Sequence, residues 1–481
     1  MNSLQSIAKT TISRRSLLRG AVALGAASAL PLPAFAQAGD TIKWWDIFQP
    51  LIPLHEKMWA EYSASHPGKV EYTGMNPSDM MQALQLANRS NQMPDVFNVP
   101  NGTPDVVSSL QAAGWFAPLA DSFVFDKPFQ KEVLAEGFTS FGGKLYSFPI
   151  FSFRQTDTSL WYFKDGFAAT GADAAKGPAT WEEARAAAKA ATKDGKYGII
   201  LPLQFVDRMK QHLIDLAQAA GGSGEIDWKT GEYAYASQPF VDALNFLLGF
   251  QQDGSLHPAS SSLDARQGRA RWAAGESLMF FDGPWNSGVL NGNFAAVIDG
   301  IDVVRVPYPA AAEGNSYTRR SPKAGTFFIS AQSQNVALAS DVLQQLTTEP
   351  YYIGLAERMD QPPLDLAAVE KANVHATYRK VLSSYPEYVR LSPDPLIRNP
   401  AVAQVYAEMK PVTPGLGEII QGAFSGAFSD PKPVLQQFAD QMTAERNRAI
   451  EKVAATGAKV SVDDWKFDAW TPGEDFTSDK Y

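Results

Sequence analysis

The sequence contains no cysteine. That absence excludes disulfides, iron–sulfur clusters, covalently attached haem, a cysteine nucleophile and an N-terminal lipid on cysteine. Histidine is scarce too. The five histidines (His55, His66, His212, His257 and His375) are scattered, and none falls in a metal-ligand spacing such as His-x-x-x-His. Neither a metal nor a cofactor is expected. Beyond the first twenty residues the basic residues cluster only at Arg319, Arg320 and Lys323, and the net charge is −9, so nucleic acid is not an expected partner. No later segment offers the roughly 20 consecutive apolar residues needed to span a bilayer. What remains is the balance of a folded chain, with 45% hydrophobic and 19% charged residues. Its 481 residues exceed one ordinary core and predict two domains.

Residues 1–36 read as an address. Lys9, Arg14, Arg15 and Arg19 give a positive start with no acidic residue. Ala21 to Leu32 is an uncharged, mostly apolar run, and Ala34-Phe35-Ala36 is the small-x-small pattern that precedes a signal-peptidase cut. Ser13-Arg14-Arg15-Ser16-Leu17-Leu18-Arg19 resembles the twin-arginine export signal, with Leu17 where Phe is common and Arg19 where Lys is common. That resemblance implies export in the folded state. The expected location is the periplasm, with the signal removed near Ala36.

The rest of the chain alternates in hydrophobic period. Thr41 to Ile47 reads as a strand, Pro53 to Ser65 as a helix with Leu54, Met58 and Tyr62 on one face, and Lys69 to Thr73 as a strand. Ser78 to Arg89 reads as a helix, and Met93 to Val99 as a turn that becomes a third strand. Strand, helix, strand, helix, strand predicts an α/β fold with a parallel sheet. The rhythm breaks at the extended stretches Tyr146 to Ile150 and Thr158 to Phe163. Beyond it, Thr180 to Thr192 is a helix with Thr180 and Glu183 spaced as a capping box. Lys196 to Leu203 is a strand. Helices follow at Met209 to Ala220, Gln238 to Asp253 and Arg266 to Ala274, then a strand at Ser277 to Phe281. Pro400 to Ala455 is mostly helical.

Six stretches in order resemble the family 1 extracellular solute-binding proteins, the maltose-binding-like sugar receptors of ABC importers. They are Met93-Pro94-Asp95-Val96, Leu145-Tyr146-Ser147-Phe148-Pro149, Trp161-Tyr162-Phe163-Lys164-Asp165, Pro178 to Glu183, Lys193 to Gly198, and Gly275 to Met279 with Gly283-Pro284-Trp285. Phe163 stands where that family favours Asn. The resemblance implies a two-lobed periplasmic binding protein fold (type II) with a hinge between lobes. It implies a first lobe of residues 40–152 and 303–355 and a second of 156–300 and 358–481. It also implies a monomer that captures a small solute and delivers it to membrane permease subunits, without catalysis.

Parallel sheets bind ligands at the C-terminal ends of their strands, and a sugar cleft needs aromatic faces and fixed polar groups. The candidates follow. Neighbours on a strand face opposite ways, so one of Trp44 and Trp45 enters the core; Trp45, Asp46 and Gln49 are taken from this strand end. Asn101 follows the third strand, and Gln204 ends the stretch GIILPLQ. Phe151 and Arg154 follow the crossover, with Arg154 offering a hydrogen-bond fork to hydroxyls or an anion. Asp282 offers a carboxylate, with a helix N-cap as its alternative role. Trp285 is the ring that, by the resemblance, stacks on a sugar. Gly325 and Thr326 precede the strand FFIS, where a glycine lets backbone amides approach a ligand. Arg358, with Asp360 and Gln361, stands before Pro362-Pro363.

Other readings stay open. Tyr351-Tyr352 is the adjacent pair that ferric-ion receptors of this superfamily use, although helical period makes one tyrosine core and the other surface. A polyamine suits the acidic balance. Arg154 and the Arg319–Lys323 patch leave room for a sugar carrying a sulfonate, phosphate or carboxylate. A secreted carbohydrate-active enzyme would need a carboxylate pair, and no G-x-S-x-G motif is present.

Overall fold

In the computed structural model the described residues are 41–100, 102–127, 133–134 and 136–481, so the expected export signal and Asn101 lie outside them. In β1 (Thr41–Asp46) Ile42, Trp44 and Asp46 are buried while the residues between are not, the alternation a strand imposes. Trp44 is therefore the core tryptophan, with its ring centroid 4.9 Å from that of Trp59 and 4.6 Å from that of Phe327. The helix Ile52–Ser65 leads to β2 (Lys69–Gly74), the helix Pro77–Arg89 leads to β3 (Val96–Asn98), and β1 pairs in parallel with both strands.

The further strands are β4 (Phe116–Ala117), the hairpin β5 (Ser140–Phe141) and β6 (Lys144–Leu145), β7 (Ser159–Phe163), β8 (Tyr197–Ile200), β9 (Ser277–Asp282), β10 (Ile301–Val304), β11 (Thr318–Arg320), β12 (Phe327–Ser330) and β13 (Val389–Leu391). Two main sheets result, ordered β2-β1-β3-β12-β4 and β10-β7-β9-β8. Each has its own core. Ile42, Trp44, Val96 and Ile329 belong to the first, and Leu160, Trp161, Ile199 and Phe280 to the second. A third cluster, around Leu396, Val405, Trp465 and Phe467, joins the C-terminal helices to the tail. No helix among the described residues is long and apolar enough to cross a membrane.

The lobe limits differ from those expected. The boundary at 303 falls inside β10, which pairs with β7 in the second sheet. β11 then pairs with β13, and the chain rejoins the first sheet only at β12. The restart at 358 is likewise early, because Val369 and Ala372 still pack with Ala356 of the helix Glu349–Glu357. Sheet membership is set by the partner strand, which a strand's own sequence does not name.

Three passages run between the sheets, and hydrogen bonds lace them together. Thr326 N–H donates to Phe148 O (3.0 Å) and Ile150 N–H to Thr326 Oγ1 (3.1 Å). Leu364 N–H donates to Ile150 O (2.8 Å), Ser152 N–H to Pro362 O (2.9 Å), and the Gln155 amide to Gln361 Oε1 (2.6 Å). A buried crossover must pair its backbone groups somewhere, and here the passage through residues 148–155 pairs with both of the others.

The helix Trp181–Ala191 starts on the expected capping box: Glu183 N–H donates to Thr180 Oγ1 (3.2 Å) and Thr180 N–H to Glu183 Oε2 (3.0 Å). It lies on β8 at a point where only glycine fits. A Cβ on Gly198 would come within 2.4 Å of the Ala188 Cβ and 2.5 Å of the Ala188 backbone. Gly198→Ala is expected to destabilise the protein by about 1–3 kcal/mol through overpacking. Urea unfolding checks this, and an unchanged midpoint refutes it.

Candidate functional site

The site forms where strand ends meet. β8 and β9 run parallel, so Ile200 and Asp282 end on the same edge of the second sheet. β7 runs antiparallel to β9, with Ser159 opposite Asp282, and this brings Asp157 and Thr158 to that edge from the other direction.

Asp282 is the hub of the edge. Its carboxylate is 2% exposed and carries five donors. Oδ2 accepts from Arg269 Nε (2.7 Å) and Nη2 (2.6 Å). Oδ1 accepts from the Trp285 indole N–H (2.6 Å), the Gly283 N–H (3.0 Å) and, more loosely, Arg208 Nη1 (3.5 Å). A buried carboxylate needs such partners to remain charged. Arg269 comes from the helix Ala265–Ala273 and Arg208 from the first turn of the helix Val206–Ala219. The Arg208 guanidinium lies over the Trp285 ring, 4.5 Å from its centroid. The ring rests on Gly283, where a Cβ would come within 2.2 Å of it. Asp282 therefore orients the indole and does not cap the helix Asn286–Asn293, whose N-cap position is held by Trp285.

Beside this hub lies a second ionic group. Asp157 is 3.8 Å from Arg208. The buried Asp215 accepts from the Thr158 hydroxyl (2.7 Å), the Gln211 amide (3.0 Å) and Arg320 Nη2 (2.7 Å). Burial pushes the Asp215 carboxyl up and Arg320 pulls it back. Burial pushes the Lys323 ammonium down to about 8, with Asp157 opposing and Arg320 adding to the shift.

The first sheet contributes the end of β1. Asp46 Oδ1 accepts from Phe48 N–H (3.0 Å) and Oδ2 is 2.8 Å from His55 Nδ1. His55 Nε2 reaches the Tyr351 hydroxyl at 3.2 Å. Gln49 opens the short turn Gln49–Leu51, which packs against the helix Asn286–Asn293. The first turn of that helix also docks on the crossover. Gly288 N–H donates to Met359 O (3.0 Å), and a Cβ there would come within 2.2 Å of Arg358 O. Met359 has a φ of +51°, rare for a non-glycine residue. The turn it makes sets Asp360 among Asp46 of one lobe and Arg269 and Asp282 of the other. Asp360 is 3% exposed, and its Oδ2 finds no hydrogen-bond partner among the described residues. Burial and then Asp46 push its carboxyl up to about 8, against the pull of Arg269, with Asp282 adding to the rise.

The structure thus brings Asp46, Gln49, Asp282, Trp285 and Arg358 around one contact between the sheets. Others among the expected residues are occupied elsewhere. Trp45 is half-buried against the cluster of Met80, Leu84 and Phe97. Phe151 is buried, with its ring centroid 5.0 Å from that of Phe48. The fork of Arg154 is taken by Asp475 (2.6 Å) and Val389 O (2.7 Å). Gln204 is exposed and donates to Ser261 O (2.7 Å). Gly325 and Thr326 serve the crossover ladder, and a Cβ on Gly325 would come within 2.1 Å of Ser147 Oγ, so the glycine admits a neighbouring segment. The basic patch is largely internal: Arg319 is 4% exposed and bonds to Gly222 O, while Arg320 holds Asp215.

Arg208, Arg269, Asp157 and His55 were not among the candidates. None of them stands just after a strand: three sit on helices, and Asp157 precedes a strand that runs the opposite way. Tyr351 and Tyr352 are both buried, and burial raises both phenols, Tyr351 well above the ordinary tyrosine value. That disfavours the phenolate a ferric ion requires. Among the described residues no group of three or more histidine, aspartate or glutamate side chains is placed to hold a metal ion.

Residues 51–352 match the sequence profile of the bacterial extracellular solute-binding proteins. No curated protein matches the chain significantly. Among solved structures, an ABC transporter solute-binding protein from Thermotoga lettingae bound to α-D-tagatose is 16% identical, covering 85% of this chain and 100% of its own, with a TM-score of 0.67. The GacH receptor of Streptomyces glaucescens, solved unliganded and with acarbose, is 17% identical over 84% of this chain and 97% of its own, with a TM-score of 0.65. The maltotriose-binding protein of Thermus thermophilus is 19% identical over 85% of this chain and 100% of its own, with a TM-score of 0.64. At these identities the likeness is one of fold, the two-lobed binding-protein architecture.

Proposed function

Since the chain belongs to the bacterial extracellular solute-binding protein family, we propose that it captures a sugar, sugar alcohol or sugar derivative between its lobes and delivers it to the permease of an ABC transporter. One observation carries the reading. An indole ring oriented by a fully bonded carboxylate stands at the strand-end edge of one lobe, next to the strand end of the other. A sugar offers apolar C–H faces and many hydroxyls, and such a site supplies a planar surface and prearranged donors and acceptors. The fold neighbours solved with tagatose, acarbose and maltotriose support the same class. The half-buried Lys323 ammonium favours, as a second reading, a derivative with an acidic group. On this reading the protein works as a periplasmic monomer, exported folded through the twin-arginine route, with its signal removed near Ala36 and its two lobes closing about the crossover.

The test is a thermal-shift screen of the mature protein with neutral sugars, polyols and sugar acids. A true ligand at 100 times its dissociation constant should stabilise the protein by ~2.7 kcal/mol. The reading fails if no member raises the melting temperature. It also fails if the protein chemically converts the member it holds, which would revive the carbohydrate-active enzyme.

A further inference from the structure

Asp360 is buried where the lobes meet, yet the described residues give one of its oxygens nothing to bond. A buried polar group left unpaired costs about 1–3 kcal/mol, and this oxygen lies near Asp46 and Asp282 of the candidate site, where a solute hydroxyl can complete its bonding. The segment that carries it is held firmly. Met359 is fixed by the bond from Gly288, and Gln361 by Gln155 and by the Tyr378 hydroxyl, which donates to Gln361 O (2.9 Å). Charged and titratable groups face Asp360 from every element around it: Asp46 of β1, Arg269 of the helix Ala265–Ala273, Asp282 of β9, Tyr351 of the helix Glu349–Glu357 and Tyr378 of the helix Ala376–Tyr388. His55 stands behind Asp46 and Tyr351. Arg269 is the one cation of this set, and both of its contacts go to Asp282.

Resting on the carbohydrate reading of this cleft, we infer that Asp360 is a specificity residue that bonds an uncharged hydroxyl of the solute as a protonated carboxyl, donating one hydrogen bond and accepting another. An ammonium group at the same place would instead favour the ionised form, which accepts hydrogen bonds without donating one. The sign of the pH dependence follows. A carboxyl whose pKa is raised to about 8 keeps its proton, and its donor, below that pH, and loses both above it. Affinity for a neutral polyol falls as pH rises through about 8.

The experiment is titration calorimetry of the mature protein and its Asp360→Asn and Asp360→Ala variants. The probes are D-tagatose, maltotriose and D-mannitol, with D-glucosamine as the cationic counterpart, at about pH 6.5 and about pH 9. Asparagine imitates a protonated carboxyl. Asp360→Asn should therefore keep the wild-type affinity for the neutral probe that binds, within about threefold at the lower pH, and should lose the drop at the higher pH. Asp360→Ala should lose roughly tenfold or more. Unchanged affinity in Asp360→Ala, with folding verified by its melting temperature, overturns the assignment and leaves the carbohydrate reading standing. Tight binding of D-glucosamine that Asp360→Asn abolishes reverses the assignment to an ionised carboxylate. Failure of every neutral probe to bind the wild type counts against the carbohydrate reading, and the assignment falls with it.

Discussion

Replacing Asp282 with alanine is expected to destabilise the protein by about 3–5 kcal/mol, because it strands a buried arginine. Arg269 is 6% exposed, and its Nε and Nη2 both end on Asp282 Oδ2. Truncating the carboxylate leaves that charge in the interior without its counter-ion, and also frees the Trp285 indole N–H and the Gly283 N–H. Asp282→Asn is expected to fall between wild type and alanine. The isostere keeps the shape, but it turns a donor toward a place where only acceptors are wanted. A double-mutant cycle separates the stranded charge from ordinary loss of packing. Removing Arg269 together with Asp282 should cost several kcal/mol less than the sum of the two single changes. The measurement is urea unfolding of the four proteins, with the slope m checked for constancy. A loss under about 1 kcal/mol for Asp282→Ala, or an additive cycle, refutes the account of Asp282 as hub.

The contrast between Asp282 and its partners shows what the sequence could and could not tell. Strand ends are legible because hydrophobic period changes there. β1, with one of its two tryptophans inward and Asp46 at its end, and the capping box of Thr180 with Glu183 both follow from spacing alone. Asp282 stands at such a strand end, whereas Trp285 follows from the resemblance carried by Gly283-Pro284-Trp285. The arginines that complete the hub were not legible, since Arg208 and Arg269 read as ordinary polar positions on amphipathic helices, and only the docking of each helix turns them inward. Asp157 was hidden by topology, because β7 runs antiparallel to β9 and its useful end is its beginning. Arg154 illustrates long range. Nothing near it in the sequence claims its fork, but its partner Asp475 lies 321 residues further along the chain. Tyr351 and Tyr352 show periodicity giving way to packing: each is counted with the first-sheet core, although a single helix face would hold only one of two neighbours. Topology acts in the same way on β10 and β11, which take their sheet from β7 and β13.

Trp285→Ala is expected to weaken solute binding roughly 10- to 100-fold while leaving the fold intact. The two expectations have different sources. The ring is only half-buried, and it rests on a glycine surface with an arginine above it, so little close-packed core is opened by its loss. The binding loss combines two contributions, the planar surface offered to a sugar and the indole N–H that holds Asp282 in place. Stacking of this kind contributes ~0.5–1.5 kcal/mol beyond area burial, and the indole's bond to Asp282 acts on binding only through the position it gives that carboxylate. Trp285→Phe divides them, since phenylalanine keeps a ring and has no N–H. If the surface dominates, Phe should retain most of the affinity that Ala loses. If Asp282 must be held, Phe should bind as poorly as Ala, and both should resemble the residual binding of Asp282→Asn. Calorimetry with the strongest neutral ligand of the screen decides between them, with melting temperatures confirming that each variant is folded. Binding of Trp285→Ala within about twofold of wild type would remove this residue, and with it the strand-end hub, from the solute's path.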